Sequence, residues 1–298
     1  MKKQCIFTGV ATALVTPMKA GGEVDFERLA KLVNSQINNK VDALVICGTT
    51  GESATLKCDE HIEVIAAAVR AADGRVPIIA GTGSNDTDHA VMMSERAANG
   101  GASALLMVTP YYNKTSQRGL IAHFNYIADR VSLPIIVYNV PSRTGVNILP
   151  ETYAELAKHP KIVAAKEANG DLSQLLKTMS LCGDSLTIYS GNDDQIVPIM
   201  SLGGKGVISV LSNILPRQTH EMAELCLKGD FKAGAGLAFK YTELMNALFS
   251  DVNPIPVKEA FSLMGESVGE CRLPLYKMSD EKRKKLESAL KSSGLIND

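Results

Sequence analysis

Apolar residues gather into eight short runs, at residues 9–17, 43–49, 77–83, 104–111, 134–140, 162–168, 186–193 and 206–213, with longer mixed stretches between them. The runs are apolar at almost every residue (ALVICG, VPIIAG, ALLMVTP, LPIIVYNV), as strands covered on both faces should be; a strand with one wet face would alternate. Successive runs begin 20 to 34 residues apart, the length that a parallel strand, a crossover helix and two loops require. Helix signals fill the gaps. Asp25 stands where an N-cap belongs, with Leu29, Leu32, Val33 and Ile37 on one face behind it. Ser116 and Asp171 offer two more caps, Pro150 suits a first helical turn, and Gly100 and Gly101 close a helix before the fourth run.

Eight strand–helix units predict an α/β fold, a (β/α)8 TIM barrel, because a doubly wound sheet usually carries only about five or six strands. The barrel is expected over residues 1–229, and 230–298 exceeds one crossover helix, so it reads as a C-terminal helical extension. Within that extension Asn253-Pro-Ile-Pro reads as an extended lead into a helix, and Ser279 caps a last helix ending at Gly294. The EKRKK stretch at 281–285 fits a solvated face of that helix, with Leu286 and Leu290 packed inward, better than a basic binding patch.

Composition narrows the classes. With 45% hydrophobic residues in 298 the chain can bury a large core, and 31 Lys plus Arg against 32 Asp plus Glu leave no excess positive field for nucleic acid or an anionic membrane. No run of 18 apolar residues would span a bilayer. The opening MKKQCIFTGVATALVTP mimics a signal peptide, with Lys2 and Lys3 ahead of an apolar stretch, but Thr8, Gly9 and Thr12 interrupt that stretch and a strand fits better. Cys5, Cys47, Cys58, Cys182, Cys226 and Cys271 are scattered without a CxxC pair, and the histidines form no HExxH. The expectation is a soluble, cytoplasmic protein with free thiols and no metal site.

Barrel chemistry sits at the C-terminal ends of strands, so polar residues late in the runs matter most. Lys166 lies in Ile162-Val-Ala-Ala-Lys-Glu-Ala, where a buried ammonium is costly unless paired or neutral. Its stem could be buried with the head snorkelling out. Alternatively it is a Schiff-base lysine, since burial favours the neutral amine that adds to a ketone. Lowering its pKa from about 10.4 to near 7.4 corresponds to roughly 4 kcal/mol. Tyr138 is the fifth residue of its run, as Lys166 is of the next, so a matched register places them at similar height, where the phenol serves either the core or proton transfer. Arg143, in the turn-rich Asn139-Val-Pro-Ser-Arg-Thr-Gly, suits a carboxylate at the mouth or a surface ion pair. Gly48-Thr-Thr-Gly-Glu52 is either a small anion nest or a simple turn. Tyr111 and Tyr112 end the fourth run and fit interface packing as well as chemistry. Gly81-Thr-Gly83 and Gly203-Gly-Lys-Gly206 match neither GxGxxG nor a P-loop, so a phosphate cofactor has little support.

Taken together, GTTGES at 48–53, TPYYN at 109–113, YNVPSRTG at 138–145, AAKEA at 164–168, SGND at 190–193 and GGKGVISV at 203–210 resemble the 4-hydroxy-tetrahydrodipicolinate synthase (dihydrodipicolinate synthase) family. The resemblance spans the chain, from FTGVATALVTPM at 7–18 to NPIPVK at 253–258. It implies condensation of pyruvate with L-aspartate-4-semialdehyde in lysine and diaminopimelate biosynthesis, without metal or organic cofactor. By residue-wise match it implies that Lys166 carries pyruvate and that Tyr138, Thr49 and Tyr112 form a proton relay. Arg143 would hold the aldehyde's carboxylate, Thr50 the pyruvate carboxylate, and Gly191 and Ile208 would line the pocket through their backbone. It further implies a homotetramer of tight dimers in which Tyr112 reaches into the neighbouring site. Ser53, Ala54, His61, Gly83, Asn85 and Tyr111 match the family's lysine-inhibition pocket, whereas Cys58 and His89 stand where inhibited members carry histidine and glutamate; weak or absent inhibition is the expectation. Rival readings are an N-acetylneuraminate lyase or keto-deoxy sugar-acid aldolase on the same imine lysine, and a non-catalytic small-molecule sensor on the same barrel. YNVPSRTG and the double threonine favour the synthase pattern over the sugar lyases, and retention of Lys166 and Tyr138 disfavours the sensor.

Overall fold

The computed structural model describes residue 3 and residues 5–297; Lys2 of the basic start lies outside them. All eight apolar runs contain strands: β1 (Gly9–Ala13), β2 (Ala43–Ile46), β3 (Ile78–Gly81), β4 (Ala104–Val108), β5 (Ile135–Asn139), β6 (Ile162–Glu167), β7 (Thr187–Ser190) and β8 (Gly206–Ser209). Every neighbouring pair is parallel, and β1 closes on β8 through Gly9↔Gly206 to Thr12↔Ser209. Each strand is shorter at its C-terminal end than its apolar run, because the last residues of the run leave the ladder to build the loops of the mouth.

Helices follow the strands as α1 (Phe26–Asn38), α2 (Cys58–Ala72), α3 (Thr87–Asn99), α4 (Gln117–Arg130), a single turn α5 (Pro141–Thr144), α6 (Pro150–Leu156), α7 (Leu172–Cys182), α8 (Ile196–Ser201) and α9 (Pro216–Leu227). The predicted caps are in place: Asp25, Ser116 and Asp171 accept from the amides of Arg28, Gly119 and Gln174. After residue 230 come α10 (Phe231–Leu248), α11 (Ile255–Leu263) and α12 (Asp280–Ser292), with α10 packed on α8, α9 and α12. On α12, Leu286 and Leu290 are buried while Lys285 pairs with Glu281 on the wet face. The Asn253-Pro-Ile-Pro lead is a turn rather than extended, because Asn253 is drawn into the barrel mouth.

Strand side chains alternate between two apolar clusters. Ala11, Val45, Ile79, Leu106, Ile136, Tyr138, Tyr189 and Ile208 fill the barrel, while Val10, Leu44, Ile46, Leu105, Val137 and Val207 meet the helices. Phe7 stacks on Tyr189, ring centroids 4.1 Å apart, and plugs the bottom. The glycine segments serve close packing. A Cβ on Gly81 would lie 2.2 Å from the Cys47 carbonyl oxygen, and one on Gly206, at the bottom of β8, 2.0 Å from that of Gly9. Among the described residues no helix is long and apolar enough to cross a membrane, and all six cysteines are free.

Candidate active site

The alternation that sends Ile136 and Ala164 inward sends Tyr138 and Lys166 inward as well. The two are register partners on β5 and β6, and Lys166 Nζ lies 4.2 Å from the centre of the Tyr138 ring. Lys166 does not snorkel: it is 6% exposed. Burial lowers its pKa to about 7, with Asp193 pulling it up and Arg143 pushing it further down. Burial raises the Tyr138 phenol to about 12, against the opposing pull of Arg143 and the Thr49 side chain. An amine with a substantial neutral fraction near pH 7 therefore faces a phenol that keeps its proton, a nucleophile beside a proton donor.

Above them lies a cavity of about 360 Å³ bounded by Gly48, Thr49, Thr50, Tyr138, Arg143 and Lys166, with Gly191 and Asn253 on its wall. The threonine loop is built by strain at its root: Cys47 adopts φ +56° and Glu52 φ +57°, so the chain curls over the mouth. Its far end is tied down, since Glu52 meets Lys258 at 2.5 Å and accepts from the Arg272 amide at 2.8 Å, the two side chains wholly buried. Thr50, 3% exposed, accepts from Asn253 Nδ2 at 3.0 Å. Arg143 sits on α5, which Pro141 opens and Gly145 closes at φ +69°. Instead of a surface ion pair it donates to the Asn253 carbonyl at 3.2 Å, leaving its charge at the mouth.

Lys166, Tyr138, Thr49, Thr50, Arg143 and Gly191 thus meet at one cavity. Ile208 does not line it; its side chain belongs to the barrel filling below. Tyr112 stands away, 91% exposed on a loop at φ +70°. A second cavity, about 600 Å³, gathers Ser53, Ala54, His61, Gly83 and Tyr111 together with Cys58 and His89. Asn85 borders a neighbouring hollow instead, its carbonyl accepting from Asn113. His61 Nε2 donates to the Gly81 carbonyl at 2.8 Å, and burial holds its pKa down. The one carboxylate lining this second cavity, Glu52, is already paired with Lys258.

Sequence reasoning passed over two residues. Asn253 reaches the mouth from 203 positions away along the chain, which no local pattern reveals. Asp193, the last residue of SGND, is buried and accepts from the amides of Val210 and Leu211 at 3.1 and 2.9 Å. Burial raises its pKa and Lys166 lowers it, so it is an anionic influence on the lysine.

Residues 6–293 match the Dihydrodipicolinate synthetase family. A 4-hydroxy-tetrahydrodipicolinate synthase of Caldicellulosiruptor bescii is 53% identical over 97% of this chain and 98% of its own. The crystal structure of dihydrodipicolinate synthase from Thermotoga maritima superposes with a TM-score of 0.95 at 44% identity, covering 98% of this chain and 100% of that one. That of Acinetobacter baumannii, solved in complex with pyruvate, gives 0.96 at 42%, with the same coverage. The chain belongs to the Dihydrodipicolinate synthetase family.

Proposed function

We propose that this chain is a 4-hydroxy-tetrahydrodipicolinate synthase, joining pyruvate to L-aspartate-4-semialdehyde in the cytoplasmic biosynthesis of lysine and diaminopimelate. The observation that carries the reading is the buried, deprotonation-prone Lys166 in register with Tyr138 beneath Thr49, Thr50 and Arg143. Lys166 Nζ adds to the ketone carbon of pyruvate, and water leaves to give a protonated imine. That cation draws electrons from the methyl carbon, which loses a proton and becomes an enamine. The enamine carbon attacks the aldehyde carbon, whose oxygen takes up a proton. The amino group of the semialdehyde then displaces Lys166 from the imine carbon and closes the ring. The imine is itself the electron sink, so the chemistry asks for no metal or organic cofactor. Thr50 holds the pyruvate carboxylate, with Gly191 as a further wall, and Arg143 holds the carboxylate of the second substrate. Tyr138 and Thr49 pass protons, with Tyr112 completing the relay from the neighbouring subunit of a homotetramer.

The test is capture of pyruvate by borohydride with mass mapping of the modified lysine, together with semialdehyde-dependent consumption of pyruvate. Release of pyruvate from sialic acid in place of that consumption would assign the chain to the sugar lyases. The second cavity supports weak regulation at most. A ligand ammonium would find no free carboxylate there, because His89 occupies the acidic position and Glu52 is taken by Lys258. Initial rates in millimolar lysine should therefore stay near those without it; strong inhibition would contradict this.

A further inference from the structure

One residue beyond the Tyr138↔Lys166 pair, Asn139 and Glu167 are register partners too, and strand alternation turns both outward. Glu167 is 3% exposed, wedged between the barrel and α6. Its carboxylate is met only by donors: Asn139 Nδ2 at 3.0 and 3.2 Å, the Tyr153 hydroxyl at 2.8 Å and the Asn169 amide at 2.9 Å. Asn139 is fixed in turn, its Oδ1 accepting from the Ile148 amide at 3.1 Å and its Nδ2 reaching Asn147 at 2.8 Å. The Glu167 carbonyl takes the amide of Gly191, on the cavity wall, at 2.7 Å.

We propose that Glu167 is a positioning residue for the condensation: clamped to Asn139 and Tyr153 behind the sheet, it fixes the relative height of Lys166 and Tyr138 in front of it. The inference rests on the reading of Lys166 and Tyr138 given above. Inward and outward side chains share one backbone, so loosening the outer pair frees the ends of β5 and β6 to slide where the inner pair must meet. Imine formation needs Lys166, but every later proton transfer needs both groups, and a misplacement of about 1 Å can slow such steps by about a hundredfold. Asn139 Nδ2 and the Asn169 amide can only donate, whereas the Tyr153 hydroxyl can turn to accept, so Glu167→Gln keeps the side-chain shape but gives up one of the two oxygens that Asn139 grips.

The experiment counts active sites by borohydride trapping of pyruvate and reads turnover per trapped lysine in the parent and in Glu167→Gln. The expected result is trapping that still approaches completion, turnover per trapped lysine down at least tenfold, and slower exchange of the pyruvate methyl protons with deuterated solvent. A purely structural role would lower the trapped fraction or the melting temperature and leave turnover per trapped lysine unchanged. A value within twofold of the parent overturns the proposal. Should Glu167→Gln not fold, Tyr153→Phe decides: it removes a single donor, and a drop of at least threefold supports the clamp, whereas unchanged turnover removes it. A parent that traps no pyruvate would bring down the functional reading instead.

Discussion

Lys166 is useful because the barrel makes its charge expensive. Burial lowers its pKa from 10.5 to about 7, so near pH 7 a substantial fraction is the free amine, against roughly one part in three thousand for an ordinary lysine. The sign follows: protonation dominates below about 7, so the rate of imine formation should climb about tenfold per pH unit up to that point and then level. Asp193 raises this pKa and Arg143 lowers it, so Asp193→Asn should move the break to lower pH. Trapping rates measured from pH 5 to 9 check both, and a break near 10 would mean an ordinary, charged lysine. In the proposed mechanism Tyr138 acts after the imine forms. Tyr138→Phe should cut turnover by about a hundredfold, within the range typical of general acid–base catalysis, and a near-normal rate would remove the phenol from the relay.

Strands were legible because both faces of a barrel strand are dry, which writes each one as a contiguous apolar run. Their C-terminal limits were not. Cys47 and Gly48 are as apolar as β2 yet belong to the mouth, where the left-handed backbone at Cys47 breaks the ladder. The glycine segments were ambiguous for a related reason, since tight packing and phosphate binding both call for a missing side chain. Gly81 settles into the first role. Gly81→Ala would drive a Cβ onto the Cys47 carbonyl and should destabilise the protein by about 1–3 kcal/mol or more, read from the midpoint of urea unfolding. An unchanged midpoint would mean that β2 and β3 yield more easily than their spacing implies. Lys166 and Tyr138 could be found from position within a run and Arg143 from the turn-rich loop after one, but Asn253 and the Glu167 clamp depend on contacts made only after the barrel closes.

Assembly concerns the whole molecule. A tyrosine 91% exposed, on backbone at φ +70°, gains nothing from its own subunit, which fits a group meant for a neighbour. On the proposed homotetramer, separated monomers should turn over slowly and recover activity on reassociation, as sedimentation with in-line assay would show; a fully active monomer would detach Tyr112 from the mechanism. The central claim is chemical and can be met directly. Borohydride reduction in the presence of pyruvate, followed by peptide mass mapping, should place one pyruvate-derived adduct on Lys166 and abolish turnover in step with labelling. Turnover that continues while position 166 stays unmodified would contradict the account.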